Sequence, residues 1–387
     1  MHDCAIGQMP SAPQLLIVQP WFGAPGHPAQ SLINTARAIG RSEAISYLVA
    51  CDRGDDPRLT ALRTVAGSVA TFQSHGSSIR RGTWRALRSL SARKAGEPKT
   101  RRVLFFDGHL ALIALLWPLL RRRIGLDWFG VLYLGGPERI AGNPILRWRM
   151  RRFLAYPEVR LFLRTDELAN AWRDRFPQHR EGAIAVLPSL EIPDPVEVPA
   201  APAKPDGPLR LGVVGQIRKG KGLEWLVPEF LRQPAVGTLT VAGDFGDDRA
   251  RRQFGFLLAY PYYRGGFLSE QELLEVARSQ DYLLLLYDEW DDRMEAATLY
   301  LAARVVRPVI CYQGGWLERM VRLYGCGVVL RSDRKAVLAS LAALPRRGDQ
   351  GYADLQRGAM RLREEHSASA LRGRHLQALL GNTGHVS

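Results

Sequence analysis

At 387 residues the chain is longer than one hydrophobic core usually supports, which predicts two domains. Hydrophobic residues at 46% and charged residues at 24% are ordinary globular proportions and exclude a disordered or fibrous chain. Fifty-three Lys and Arg against 38 Asp and Glu give a net charge of +15, a field that favours phosphorylated small molecules, anionic lipid headgroups or polyanions.

The chain opens with a strand at 15–18. A loop containing Gly23, Pro25, Gly26, His27 and Pro28 follows, then a helix at 29–39 with apolar Leu32, Ile33, Ala36 and Ile39 on one face. Strands are predicted at 45–49 and at 103–106, the latter running into Asp107-Gly108-His109 and a strongly apolar helix. That apolar run, 110–120, contains Pro118 and is shorter than the ~18–20 residues needed to cross a bilayer. Further strands at 128–134, halted by Gly135-Gly136-Pro137, and at 159–163 precede the cap-like Thr165-Asp166-Glu167 and its helix. Prolines 188, 193, 195, 199, 202, 205 and 208 then mark a stiff linker. The same alternation restarts with a strand at 209–214, a glycine-rich loop at 215–222 and a helix at 223–231. Strands at 238–242, 281–287 and 308–312 follow, the last two separated by a helix near 296–305. The predicted organisation is a first Rossmann-like α/β domain over 1–190, a linker over 191–208 and a second Rossmann-like domain over 209–387.

Cys4, Cys51, Cys311 and Cys326 have neither CxxC nor metal-ligand spacing and read as reduced thiols of a cytoplasmic protein. Residues 1–13 lack an apolar core, so no signal peptide is expected.

The strongest motif is 213–222, Val-Val-Gly-Gln-Ile-Arg-Lys-Gly-Lys-Gly, between a strand and a helix. Glycines let a backbone approach phosphate, a helix start offers free N–H groups, and basic side chains add charge. The spacing is neither the Walker loop nor GxGxxG, which disfavours ATP hydrolysis and nicotinamide chemistry. A second segment begins with Asp288, Glu289, Asp291, Asp292, Arg293 and Glu295. It then enters the helix at Thr298 and leads through Pro308-Val309 to Gly314-Gly315 and Glu318.

Together these segments resemble the donor domain of GT-B glycosyltransferases, in particular family 4 and its bacterial exopolysaccharide relatives. Gly215, Lys221 and Gly222 match the family's loop. Pro308 and Val309 match its Pro-Val, and Gly314, Gly315 and Glu318 match its Gly-Gly-x-x-Glu. The stretch Arg264 to Ser269, with Gly266 and Phe267, resembles its base-contacting loop. The resemblance covers roughly 209–331 and implies a GT-B fold, two Rossmann-like domains with a cleft between them. It also implies a UDP- or GDP-sugar as donor substrate, with no separate cofactor and no metal. Its donor contacts would fall on Gly215, Gln216, Arg218, Lys221, Gly266, Phe267, Glu289, Arg293 and Thr298. Gln216 stands where the family has arginine, leaving Arg218 or Arg293 to supply that charge. The family's paired glutamates fall on Arg293 and Leu301, so the pair is absent, and both retaining and inverting chemistry stay open.

An inverting transfer needs a general base from the first domain, at the carboxyl end of a strand. Asp107 is the first candidate, followed by His109 and His27, with Glu138 weaker; Asp107 reads equally as a helix cap. Arginines 80, 81, 85, 88, 93 and 101 with Lys94 and Lys99 surround Trp84 and Leu87. Arginines 121–123 close the apolar helix, and 147, 149, 151 and 152 flank Trp148 and Phe153. Arginine with tryptophan on short helices suits an anionic membrane surface, which predicts peripheral attachment at the inner face and a lipid-linked or saccharide acceptor. A sugar-nucleotide epimerase of the same architecture is the alternative within enzymes. A basic nucleic-acid-binding protein is the alternative outside them; charge alone favours it, and no helix-turn-helix, finger or RNA-binding motif supports it, so no nucleic-acid partner is expected.

Overall fold

The computed structural model describes residues 14–23, 28–52, 54–73, 78–91, 101–194, 207–266, 268–288 and 292–380. They form two compact units, one from 1–190 with 371–387 and one from 191–370.

The first unit runs β1 (Leu15–Gln19), α1 (Pro28–Ile39), β2 (Ile45–Ala50), α2 (Pro57–Val65), β3 (Ser68–Phe72) and α3 (Ile79–Ser91). It continues with β4 (Arg102–Phe106), α4 (Leu110–Ile124), β5 (Trp128–Leu132), α5 (Glu138–Ala141), α6 (Pro144–Ala155), β6 (Val159–Leu163), α7 (Asp166–Arg175) and β7 (Ile184–Val186). The second unit runs β8 (Arg210–Val214), α8 (Leu223–Arg232), β9 (Thr238–Gly243), α9 (Asp248–Gln253), β10 (Tyr263–Gly265), α10 (Glu270–Ser279) and β11 (Tyr282–Leu285). After these come α11 (Ala297–Arg304), β12 (Val309–Tyr312), α12 (Gly315–Tyr324), β13 (Gly327–Leu330), α13 (Arg334–Ala342), α14 (Gln350–Glu365) and α15 (Ala368–Leu380).

Each sheet is parallel throughout. Their orders are β3-β2-β1-β4-β5-β6-β7 and β10-β9-β8-β11-β12-β13, so each is doubly wound about its central pair. A parallel sheet needs both faces covered, and the strands supply two apolar faces rather than one. In β1, Leu16 and Val18 enter one core while Leu15 and Ile17 enter the opposite one. In β12, Ile310 and Tyr312 face one core and Val309 and Cys311 the other. Each such aliphatic side chain contributes roughly 1.5–3 kcal/mol by burial.

The sequence reading placed the C-terminal helices in the second domain, whereas the last of them, α15, belongs mostly to the first unit. Leu379 and Leu380 are buried in the core under β1 and β2, and Arg102 Nη1 donates to the Leu379 carbonyl at 3.3 Å. Further up α15, His375 is buried with Nε2 at 2.9 Å from the Pro188 carbonyl. These contacts hold the helix to the first unit.

Candidate active site

Where a doubly wound sheet reverses its order, the connections leaving the two central strands part to opposite faces and open a crevice at their carboxyl ends. In the second unit this point lies between β8 and β11, and the motif at 215–222 leaves β8 there. The loop is fastened on one side to the end of β9. The Gly215 N–H donates to the Ala242 carbonyl at 2.9 Å, and the Ile217 N–H donates to Asp244 at 2.8 Å. Gly215 has φ +96°, and a Cβ on Gly243 (φ +145°) would lie 2.2 Å from the Gly215 carbonyl oxygen. Only glycine at 243 lets the two segments touch. On the other side, the Asp288 N–H following β11 donates to the Gly220 carbonyl at 2.9 Å.

Lys221 does not project from this loop. It is buried, and its Nζ donates to the Val214 carbonyl at 3.0 Å, just beneath Gly215. Burial, and secondarily the neighbouring Arg218, lower its pKa to about 7. Arg218 is half-buried; burial lowers its pKa while Tyr287 acts in the opposite direction. Tyr287 in turn donates its hydroxyl to Thr298 Oγ1 at 3.4 Å, and its own pKa is raised chiefly by burial. Gly215, Arg218, Lys221 and Thr298 therefore converge at the switch point, joined by Tyr287, which sequence reasoning missed because one tyrosine after a strand carries no motif.

The helix starts reinforce this. α8 is capped by Gly222 and α11 by Ala296, and neither cap makes a side-chain hydrogen bond. By contrast α9 and α10 are capped by Asp247 and Ser269 side chains. The two helices that leave the central strands thus keep their N–H groups and positive dipole ends available to an anion.

The remaining donor-side candidates are more dispersed. Gln216 is exposed and lies over Gly246, where an added Cβ would meet its Nε2 at 2.7 Å. Gly266 is exposed with φ +98° after β10, the edge strand two places from β8. Arg293 is half-buried in the turn before α11. That turn is pinned by the Trp316 N–H, which donates to the Asp292 carbonyl at 2.7 Å; a Cβ on Gly315 would lie 2.0 Å from the same oxygen. Close approach therefore explains Gly315, and Glu318 secures the neighbouring backbone by accepting from the Gly314 N–H at 2.6 Å. Phe267, Glu289 and Asp291 lie outside the described residues.

The first unit has its own switch point, between β1 and β4. Asp107 leaves β4 with φ +59°, a left-handed conformation that Asp tolerates better than most residues. Its side chain is mostly buried. The sequence allowed it to be the cap of the following helix, but α4 begins at Leu110 and its cap is His109. His109 Nδ1 accepts from the Leu112 N–H at 3.2 Å, and the His109 N–H donates to Thr83 Oγ1 at 3.0 Å. An Nδ1 that accepts carries no proton, so the neutral ring holds its proton on Nε2. Burial first, then Arg80, lower the His109 pKa and favour that neutral form. His109 can donate from Nε2, but it could take up a proton only by giving up the cap. Nothing in the sequence marks Thr83, because it reaches His109 from a distant helix. Glu138 opens α5, and His27 lies outside the described residues.

On one side of the first unit α4 packs against both α3 and α6. Trp84, Leu119, Ile145 and Trp148 are exposed there, Leu119 at 71%. The guanidinium groups of Arg149 and Arg152 lie 4.9 and 5.1 Å from the Trp148 ring. Leu87 and Phe153, expected in the same clusters, are instead core residues, while Arg93, Lys94 and Lys99 lie outside the described residues.

No protein-family model matches the chain, and no curated protein matches it in sequence. Solved structures do match it in fold. The Anabaena protein HepE, in complex with UDP-glucose, is similar with a TM-score of 0.68 at 11% identity, over 95% of this chain and 99% of that one. Sucrose-phosphate synthase from Thermosynechococcus elongatus gives 0.66 at 14% identity, over 94% and 98%. A UDP-forming α,α-trehalose-phosphate synthase from Burkholderia xenovorans gives 0.65 at 12% identity, over 96% and 100%. At these identities the likeness establishes architecture: the chain has the GT-B fold, built from two Rossmann-like units.

Proposed function

We propose that the protein is a glycosyltransferase that moves a hexose from a nucleotide-diphosphate sugar to a lipid-linked or oligosaccharide acceptor. The observation that carries this reading is the β8/β11 switch point. There a glycine-bearing loop, a buried lysine, Arg218 and two helix starts without side-chain caps gather around one site. Such a set suits a diphosphate. The structural relatives solved with UDP-glucose and with UDP favour a uridine donor.

In the inverting form of this reaction the acceptor oxygen attacks the anomeric carbon as the bond from that carbon to the phosphate oxygen breaks. The bonding pair leaves with the nucleoside diphosphate, and the acceptor's hydroxyl proton passes to Asp107. Arg218 and the starts of α8 and α11 stabilise the charge that gathers on the departing phosphate, a role that calls for no metal ion. The His109 Nε2–H is a donor and would orient an acceptor oxygen rather than deprotonate it. The test is to incubate the protein with UDP- or GDP-[¹⁴C]hexose and polyprenyl-phosphate-linked or oligosaccharide acceptors. Label should move to the acceptor with release of the nucleoside diphosphate. Recovery of an isomerised nucleotide sugar and no transferred label would instead indicate an epimerase.

The same reading places the enzyme peripherally on the cytoplasmic membrane face through α3, α4 and α6. Among the described residues no helix is long and apolar enough to cross a membrane. The exposed Trp84, Leu119, Ile145 and Trp148 with their arginines suit insertion at headgroup depth. Co-sedimentation should be strong with vesicles containing phosphatidylglycerol, weak with phosphatidylcholine alone, and should fall as salt rises. Equal sedimentation with both vesicles would reduce the arginines to a solvated surface.

A further inference from the structure

One face of β8, β9 and β10 in the second sheet carries a feature that the transfer reaction does not use. β9 reads Thr-Leu-Thr-Val-Ala-Gly, and Leu239 and Val241 are buried whereas Thr238 and Thr240 are only half-buried. In parallel pairing Arg210 lies beside Thr238, Gly212 beside Thr240 and Arg264 beside Ala242, so these residues share one face of the sheet. A central parallel sheet normally buries such a face under a helix. Here Ala242 is buried in a core with Val276 and Ala277 and Gln280 covers Gly212, but the rest of the face opens into a recess of about 390 Å³, walled by the end of α10 and by Arg346 and Arg347 before α14. Its floor at Arg210 and Thr238 lies by the amino ends of β8 and β9, a strand's length from Gly215, whereas Arg264, beside Ala242, enters it from the carboxyl end of β9.

Four arginines line this recess, 210, 264, 346 and 347, against one carboxylate, Asp281. Asp281 is already committed. It accepts from the Arg210 backbone N–H at 2.7 Å, and one oxygen lies 3.1 Å from Arg210 Nη2 and 2.6 Å from Arg347 Nε. A further buried arginine behind it, Arg307, donates to the Arg278 and Gln280 carbonyls, and Arg347 helps to lower its pKa after the larger effect of burial. Arg346 spends one guanidinium N–H on the Gly207 carbonyl at 3.2 Å, while Asp349 caps its backbone N–H. Arg264 has no hydrogen-bond or ion-pair partner among the described residues. One buried carboxylate, paired with Arg210 and Arg347, is thus set against four arginines, with Thr238, Thr240 and Ser279 also in the lining. Guanidinium forks match the oxygens of phosphate in bidentate fashion, and hydroxyls complete such a shell. The volume falls in the range of small-molecule sites.

We propose that this recess is a second anion site, for a compact phosphorylated small molecule, distinct from the crevice between β8 and β11. The probe is inorganic pyrophosphate, titrated calorimetrically into the full chain already saturated with UDP, so that the crevice between β8 and β11 is filled. Wild type should show saturable binding. Arg264→Glu should weaken it at least tenfold, because it reverses a charge that stabilises nothing else in the fold. Arg357→Glu is the control, since that exposed arginine changes net charge equally but lies on α14 outside the recess. It should leave the affinity within about twofold. Equal weakening by both variants would mean that pyrophosphate senses only the overall positive field. Unchanged binding in Arg264→Glu would place the anion elsewhere, and no saturable binding to wild type would remove the site. Each of these three results overturns the proposal.

Discussion

Asp107→Asn is expected to lower sugar transfer by ~10²–10⁴-fold, the usual consequence of losing a general base, while leaving donor affinity unchanged. The substitution isolates one property of the side chain. Asn has the same shape and adopts the left-handed conformation at φ +59° at least as readily as Asp. It also leaves α4 untouched, because His109 and not Asp107 caps that helix. A fall in turnover with an unchanged melting midpoint would therefore report proton transfer. Near-normal turnover would move the base elsewhere, and His109 would be the poorer successor because its Nδ1 is committed to the Leu112 N–H.

The second large effect is expected at Lys221. Lys221→Met keeps most of the buried volume and removes the ammonium; nucleoside-diphosphate affinity should fall roughly 10- to 150-fold, or ~1.5–3 kcal/mol. The wild-type protein should also show a pH signature. Its Lys221 has a folded pKa of about 7 against an ordinary 10.5, so the unfolded chain binds the extra proton over that window. Stability from this group consequently rises with pH between those values and is flat outside them. A bound diphosphate favours the charged lysine and raises its pKa, so binding at pH 8 should take up a proton and affinity should weaken as pH rises above 7. Calorimetry in two buffers of different ionisation enthalpy measures that uptake. Equal apparent enthalpies, together with unchanged affinity in Lys221→Met, would make the lysine a purely structural tie to Val214.

Much of the second unit was legible because its signals are local. The strand at 210–214, the loop to Gly222 and the helix from Leu223 announce themselves through apolar runs and glycines. The strand at 159–163 was equally plain. β3, by contrast, was not foreseen: Ser68–Phe72 is a short, half-buried run of mixed polarity that no local pattern separates from loop. Long-range features were hidden for a different reason. The return of α15 to the first unit rests on His375, Leu379 and Leu380 meeting residues far away in the chain, and an amphipathic helix does not state which core it covers. The same holds at the sites. Lys221 was read as a phosphate-facing charge on its position alone, and only the fold shows it buried beneath Gly215. The strand expected at 238–242 stops just before Gly243, and the contact of Gly243 with the Gly215 carbonyl gives the physical reason for glycine there.

The central claim is that the crevice between β8 and β11 holds the diphosphate of a nucleotide sugar. Calorimetric titration of the full chain with UDP, repeated with UDP-glucose competing, tests it most directly. The account predicts saturable binding at one competitive site per chain, weakened in Lys221→Met and unaffected in Asp107→Asn. An absence of saturable binding for UDP, and likewise for GDP, would contradict it.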